Sequence, residues 1–308
     1  MDLSPLHALD LSAPGSLLMV IGAPDSGKST LARQIYQELC RQYSCIAYLD
    51  GDPGQSLLGP PTTLSLAINR RGDLAFPPRG RIWRRFLGAT SPRGHMLPML
   101  VGIHRLVSTA REHGAQIVVY DTCGFVSAHE GGLALKLAEM ELLRPSMVIA
   151  LQRETELEPL LQVARASSIR TVRLAPSPRV QPRPPEQRRK YRAQRFQEYF
   201  REAQRWVLDK NSLAIVASFP LQPAQLVSLE DAQGFVLALG VLQAIQGEQL
   251  TLLTPLRNLD RCRILRAGSL LLDLSTFQES RIAHGPQTMN RQPRQGSEQD
   301  VREEGNAD

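Results

Sequence analysis

Along the first part of the chain, short apolar runs alternate with longer stretches of helical periodicity. Ser16–Ile21 (S-L-L-M-V-I) is almost wholly apolar and ends at a glycine, which predicts a buried strand. Leu31, Ile35 and Leu39 then recur at helical spacing and predict a helix from about Lys28 to Tyr43. Cys45–Leu49 reads as a second strand that closes at Asp50. Ile117–Tyr120 and Met147–Leu151 read as further buried strands, and Thr171–Leu174 as a weaker one. Helical stretches at about 96–113, 130–143 and 156–167 separate them. Such alternation predicts an α/β fold, a mostly parallel sheet covered by helices on both faces.

Beyond Asp209 the pattern changes. Leu213–Phe219, Leu226–Leu229, Phe235–Ala244, Leu250–Leu253 and Arg263–Asp273 are short β-type stretches with no long helix between them. Turn signals such as Asp231-Ala232-Gln233-Gly234 and Gln246-Gly247-Glu248 punctuate them. From His284 the chain is polar and almost without large apolar residues. The expected organisation is a first domain over 1–209, a small β-rich C-terminal domain over 210–283, and a disordered tail over 284–308.

Composition narrows the class. With 308 residues and 42% hydrophobic content, the chain suits a soluble globular protein. No apolar run approaches the ~20 residues that span a bilayer. The N-terminus lacks a basic stretch followed by an apolar one, so no signal peptide is expected. The expectation is a cytoplasmic protein without a membrane partner. Cys40, Cys45, Cys123 and Cys262 form no CxxC pair and suit small buried thiols of a reducing compartment. Lys and Arg outnumber Asp and Glu by 36 to 30, a net charge of +6. The excess is local, in two arginine clusters, as a polyanionic partner would require.

The first chemical signal is Gly22-Ala23-Pro24-Asp25-Ser26-Gly27-Lys28-Ser29-Thr30, which fits G-x-x-x-x-G-K-[ST] between a predicted strand and a predicted helix. Glycines let the backbone approach a phosphate, and the amides at the helix start face the anion. Lys28 would neutralise β- and γ-phosphate charge, and Ser29 would offer its hydroxyl oxygen to Mg²⁺. The fold expected is therefore a P-loop NTPase. Asp50-Gly51-Asp52-Pro53-Gly54-Gln55 ends the second strand, where open α/β sheets place their ligand crevice. There, one carboxylate can serve a metal and the other accept a proton from an attacking hydroxyl. Asp121-Thr122-Cys123-Gly124 also fits the D-x-x-G of a GTPase switch. However, Gln152-Arg153-Glu154 after the next strand lacks a guanine-reading N-K-x-D.

Taken together these segments resemble the polynucleotide 5′-hydroxyl kinases, a family that includes kinases of messenger- and ribosomal-RNA processing. The resemblance covers most of 14–275. It runs through the phosphate loop, D-G-D-P-G-Q, Pro60–Leu64, Gly88–Pro92 with Gly94-His95, Asp121–Phe125, Gly131–Pro145 and Arg188–Arg192. It implies ATP and Mg²⁺ as cofactors, and RNA or DNA with a 5′-hydroxyl end as partner. By the same resemblance, Asp52 activates the hydroxyl and Asp50 is its metal-side neighbour. Thr122, Gly124 and Phe125 form a clasp on the substrate. Gln55 is read as a substrate contact, and His95 either as a substrate contact or as a structural hydrogen-bonder. Arg188 and Arg192 belong to a lid helix at about 185–205. Phe125 stands where the family has tryptophan, which keeps a stacking face and loses the indole N–H. The separate N-terminal domain of eukaryotic members is not expected. Two other readings compete with the kinase: a GTPase-like switch, and a catalytically silent ATP-bound scaffold.

The lid cluster runs from Arg179 to Arg205, with Arg188, Arg192 and Arg195 on one helical face, led in by a Pro-rich linker. The second cluster spans Arg70, Arg71, Arg79, Arg81, Arg84, Arg85 and Arg93, interleaved with Trp83 and Phe86. It reads either as a substrate-backbone track or as a basic loop.

Overall fold

Side chains alternate about the first sheet so that both faces are buried. Strand β1 (Ser16–Gly22) sends Leu17, Met19 and Ile21 into one apolar cluster and Leu18 and Val20 into another. Helix α1 (Lys28–Gln42) covers the second face with Leu31, Ile35 and Leu39. Helices α2 (Met96–Glu112), α3 (Gly132–Leu143) and α4 (Glu158–Ala166) cover the first. The computed structural model describes residues 14–70 and 73–282. The tail expected over 284–308 and Arg71 lie outside them.

The sheet's other strands are β2 (Cys45–Gly51), β3 (Thr63–Arg70), β4 (Ile82–Phe86), β5 (Ile117–Thr122), β6 (Met147–Leu151) and β7 (Arg170–Leu174), in the order β4-β3-β2-β5-β1-β6-β7. From β2 to β7 neighbours run parallel, while β3 and β4 add antiparallel at one edge. Sequence periodicity missed these two. β4 (I-W-R-R-F) carries two arginines, and so reads as basic loop until its partners are known.

The lid helix, α5 (Pro185–Phe200), stops before the expected 205. Gln204–Asp209 is strand β8, hydrogen-bonded to the second sheet, so the chain enters its C-terminal module before Asp209. That module adds β9 (Ala214–Val216), β10 (Gln225–Glu230), β11 (Val236–Gln246), β12 (Gln249–Thr254), β13 (Ile264–Leu272) and β14 (Glu279–Arg281). Its order is β14-β13-β10-β11-β12-β8, with β9 beside β13. Phe196 and Phe200 of α5 and Phe86 of β4 share one apolar cluster with Leu226, Leu239, Val241 and Leu272. The Tyr199 hydroxyl accepts the Leu239 amide at 2.9 Å. Half of the lid helix thus belongs to the core of the second sheet.

Truncating Phe196, which is fully buried, to alanine is expected to cost about 3–5 kcal/mol of stability in denaturant unfolding. A loss below about 1 kcal/mol would show that α5 is not anchored there.

Candidate active site

Parallel register brings the chemistry together. Asp50 of β2 lies directly beside Asp121 of β5, and β5 in turn pairs with β1, so the C-terminal ends of three strands open on one crevice. The phosphate loop leaves β1 there. Gly27 enters α1 at φ 91°, a left-handed turn that disfavours any residue with a Cβ. Gly124, on the loop after β5, packs so tightly that a Cβ would stand 2.8 Å from the Pro24 nitrogen. Lys28 is buried, with Nζ donating to the Ala23 carbonyl at 2.8 Å. Burial lowers its pKa, against the opposing charges of Asp121 and Asp52.

The three carboxylates have different partners. Asp50 Oδ2 accepts from Ser56 Oγ (2.8 Å), Leu57 N (2.7 Å) and Leu58 N (3.0 Å), while Oδ1 accepts from Asp52 N (3.3 Å). It therefore organises the 52–58 loop. Burial raises its pKa to about 6. Asp121 has the Ser29 hydroxyl near enough to lower its pKa slightly, against the larger effect of burial. Its Oδ2 accepts the Tyr48 hydroxyl at 3.0 Å, and its Oδ1 is buried with no partner among the described residues. Burial first, and then the charge of Asp50, push its pKa up to about 7. Asp52 Oδ1 accepts the amides of Gly54 (2.9 Å) and Gln55 (3.0 Å), which fixes this side chain at the crevice wall.

A cavity of about 380 Å³ joins these parts. Pro24 to Thr30, Asp52, Gln55, Gly124, Phe125, Arg188 and Arg192 all line it. Gly22 and Ala23 do not line the cavity; Gly22 is buried against the Leu151 carbonyl. Two expected substrate contacts are elsewhere. The Thr122 hydroxyl donates to the Val20 carbonyl at 2.8 Å and is buried between strands. His95 caps α2, its Nδ1 3.1 Å from the Arg93 carbonyl, and faces a separate cleft with Leu97 and Val216. The guanine-reading position is also spent internally, since Gln152 bonds Glu158 and the Leu157 amide.

Arg183 and Arg188 reach Asp25, a non-glycine residue at φ 51°. Arg188 Nη2 lies 2.5 Å and Arg183 Nε 3.4 Å from its carboxylate. Although partial burial opposes it, the Arg183 amide and the two guanidinium groups hold Asp25 below the ordinary carboxylate range. Tyr191 donates to the Ser56 carbonyl at 3.0 Å and adds an aromatic wall that periodicity did not single out, and Arg183 lines the cavity beside it. Thr90 and Ser91 line the opposite side. Asp121 was legible only as the D-x-x-G aspartate. Four arginines of the second cluster have partners within the chain. Arg84 donates to Leu58 O, Arg85 to Gly234 O, Arg81 stacks 4.8 Å from the Trp83 ring, and Arg93 pairs with Glu130.

Residues 22–202 match the family described as mRNA cleavage and polyadenylation factor CLP1 P-loop. A polyribonucleotide 5′-hydroxyl-kinase of Thermococcus kodakarensis is 33% identical over 228 residues, covering 72% of this chain and 64% of that protein. The corresponding protein of Methanocaldococcus jannaschii is 30% identical over 198 residues, covering 64% and 54%. The chain thus spans between half and two thirds of the length of these relatives. A solved Clp1p–Pcf11p complex aligns with a TM-score of 0.65 at 14% identity, over 87% of this chain and 77% of that one, a likeness of fold.

The raised Asp121 pKa gives a signed test. Folded protein keeps this proton up to about pH 7, whereas the unfolded chain releases it near the ordinary value. Between those values rising pH penalises the folded state. Asp121→Asn should therefore gain stability relative to the unmutated protein as pH rises from about 4 to about 7, by up to roughly 1.4 kcal/mol per pH unit. Parallel stability curves for the two proteins would show that Asp121 is ionised throughout.

Proposed function

The chain belongs to the mRNA cleavage and polyadenylation factor CLP1 P-loop family, and from that premise we propose that it is an ATP-dependent polynucleotide 5′-hydroxyl kinase. It would move the γ-phosphoryl group of ATP to the 5′-hydroxyl end of a nucleic acid in the cytoplasm. The observation that carries this reading is one cavity walled jointly by the phosphate loop, Asp52, the Gly124–Phe125 segment and the lid arginines. The similarity to archaeal polyribonucleotide kinases favours RNA as acceptor, with DNA as the alternative.

The amides at the start of α1 and Lys28 hold the β- and γ-phosphates. Asp52 takes the proton of the 5′-hydroxyl as its oxygen bonds to the γ-phosphorus. The bond from that phosphorus to the β–γ bridging oxygen breaks, and ADP leaves. Arg188 and Arg192 balance charge on the transferred group, and Phe125 offers a ring face to the terminal nucleotide, beside Gln55.

A magnesium ion fits the residues present, because Asp121 Oδ1 is a buried oxygen without a hydrogen-bond partner among the described residues and the Ser29 hydroxyl lies near that carboxyl. Ser29 and Asp121, in place of Asp50, would hold it, directly or through water. Among the described residues no group of three or more His, Cys, Asp or Glu could hold a metal. Phosphate oxygens would thus complete the shell. Bound there, the ion would neutralise β- and γ-phosphate charge.

The test is transfer of labelled γ-phosphate from ATP to 5′-hydroxyl RNA and DNA oligonucleotides. Asp52→Ala should slow transfer by about 10²–10⁴-fold with ATP affinity kept within about threefold. Lys28→Ala should lose ATP binding itself. No transfer to either acceptor, or a strong preference for GTP, would overturn the reading. Near-normal turnover in Asp52→Ala would move the base to another residue.

A further inference from the structure

Arg192 has two neighbours of opposite character. On one side it lines the nucleotide cavity. On the other, its Nε and Nη2 both donate to Glu279 Oε1, at 2.7 and 2.5 Å. Both side chains are almost buried, 13% and 9% exposed. Glu279 begins β14, in the second sheet, beyond the segment 22–202 that matches the family.

A buried guanidinium on a long, flexible stem needs something to fix its direction. Glu279 occupies the Nε–Nη2 edge and leaves Nη1 for another anion. Its own position is set by the ladder between β13 and β14, where Glu279 pairs with Leu272. Leu272 in turn belongs to the cluster that holds Phe196 and Phe200 of α5. The carboxylate and the helix that carries Arg192 are therefore referenced to the same packed core. On the other flank, Tyr191 and Arg195 donate to the Ser56 and Gly59 carbonyls, each at 3.0 Å, in the loop that follows Asp52.

We propose that Glu279 is a positioning residue, through which the second sheet aims Arg192 at the phosphoryl group in transfer. The inference rests on the kinase reading for its consequence in rate, and on the buried pair for its geometry. It makes the C-terminal module a working part of the site on the first sheet.

The experiment uses the full chain with Glu279→Gln and Glu279→Asp, whose folding is checked by thermal melting. Single-turnover transfer is measured at saturating ATP, and dissociation constants for ATP and ADP by calorimetry. Glu279→Gln keeps the shape and removes the charge. It should slow transfer by about 10–100-fold and narrow the preference for ATP over ADP, while ADP affinity stays within about threefold. Glu279→Asp should recover part of both. An unchanged rate together with an unchanged ATP-to-ADP preference would overturn the proposal. A faster Glu279→Gln would also overturn it, because Glu279 would then restrain Arg192. Should the unmutated protein transfer phosphate to no 5′-hydroxyl acceptor, the kinase reading falls. The nucleotide preference would then decide the positioning role by itself.

Discussion

Charge buried at the ends of three parallel strands is the constraint on which the site depends. Lys28, Asp50 and Asp121 are each within a few per cent of complete burial, and ions in such a place must be paired or hydrogen-bonded. Each group resolves the cost differently. Lys28 leans on a loop carbonyl and on neighbouring carboxylates. Asp50 collects hydrogen bonds from the 52–58 segment and so folds that segment into shape. Asp121 has an oxygen left over. On the proposed function, that surplus oxygen is where a magnesium ion would bind.

The second organising element is α5, which has no core of its own. Its only buried side chains, Phe196 and Phe200, enter the cluster of the second sheet. Its other end reaches the cavity and the phosphate loop through Arg188 and Arg192. A helix anchored at one end and charged at the other couples two sheets that also meet directly, through Phe86 and the Ser269–Gly88 hydrogen bond. A helix built this way is oriented by the second sheet, in whose apolar cluster it is anchored.

Much of the site was legible in advance where chemistry is local. The phosphate loop is a contiguous signal whose glycines, lysine and serine have one joint purpose, and the strand and helix around it follow from their own periodicity. The arginine clusters were not legible in that way. Arg84, Arg85 and Arg93 look alike in sequence, yet each is consumed by a carbonyl or carboxylate far along the chain. Thr122 sits inside a recognisable segment, but its hydroxyl bonds a neighbouring strand. Strand β4 escaped notice because Arg84 and Arg85 break its alternation, whereas β3 (T-L-S-L-A-I-N-R) keeps a regular alternation that was passed over.

The sequence by itself determined that a P-loop α/β domain with an acid pair would be followed by a β-rich module. Those features arise from neighbours within a few residues, where backbone preference and apolar spacing act directly. Only the tertiary structure decided which of three aspartates faces Ser29, that His95 stands outside the crevice, and that Glu279 grips Arg192. Such assignments depend on strand register and on long-range burial, which set solvation and distance between residues far apart in the chain.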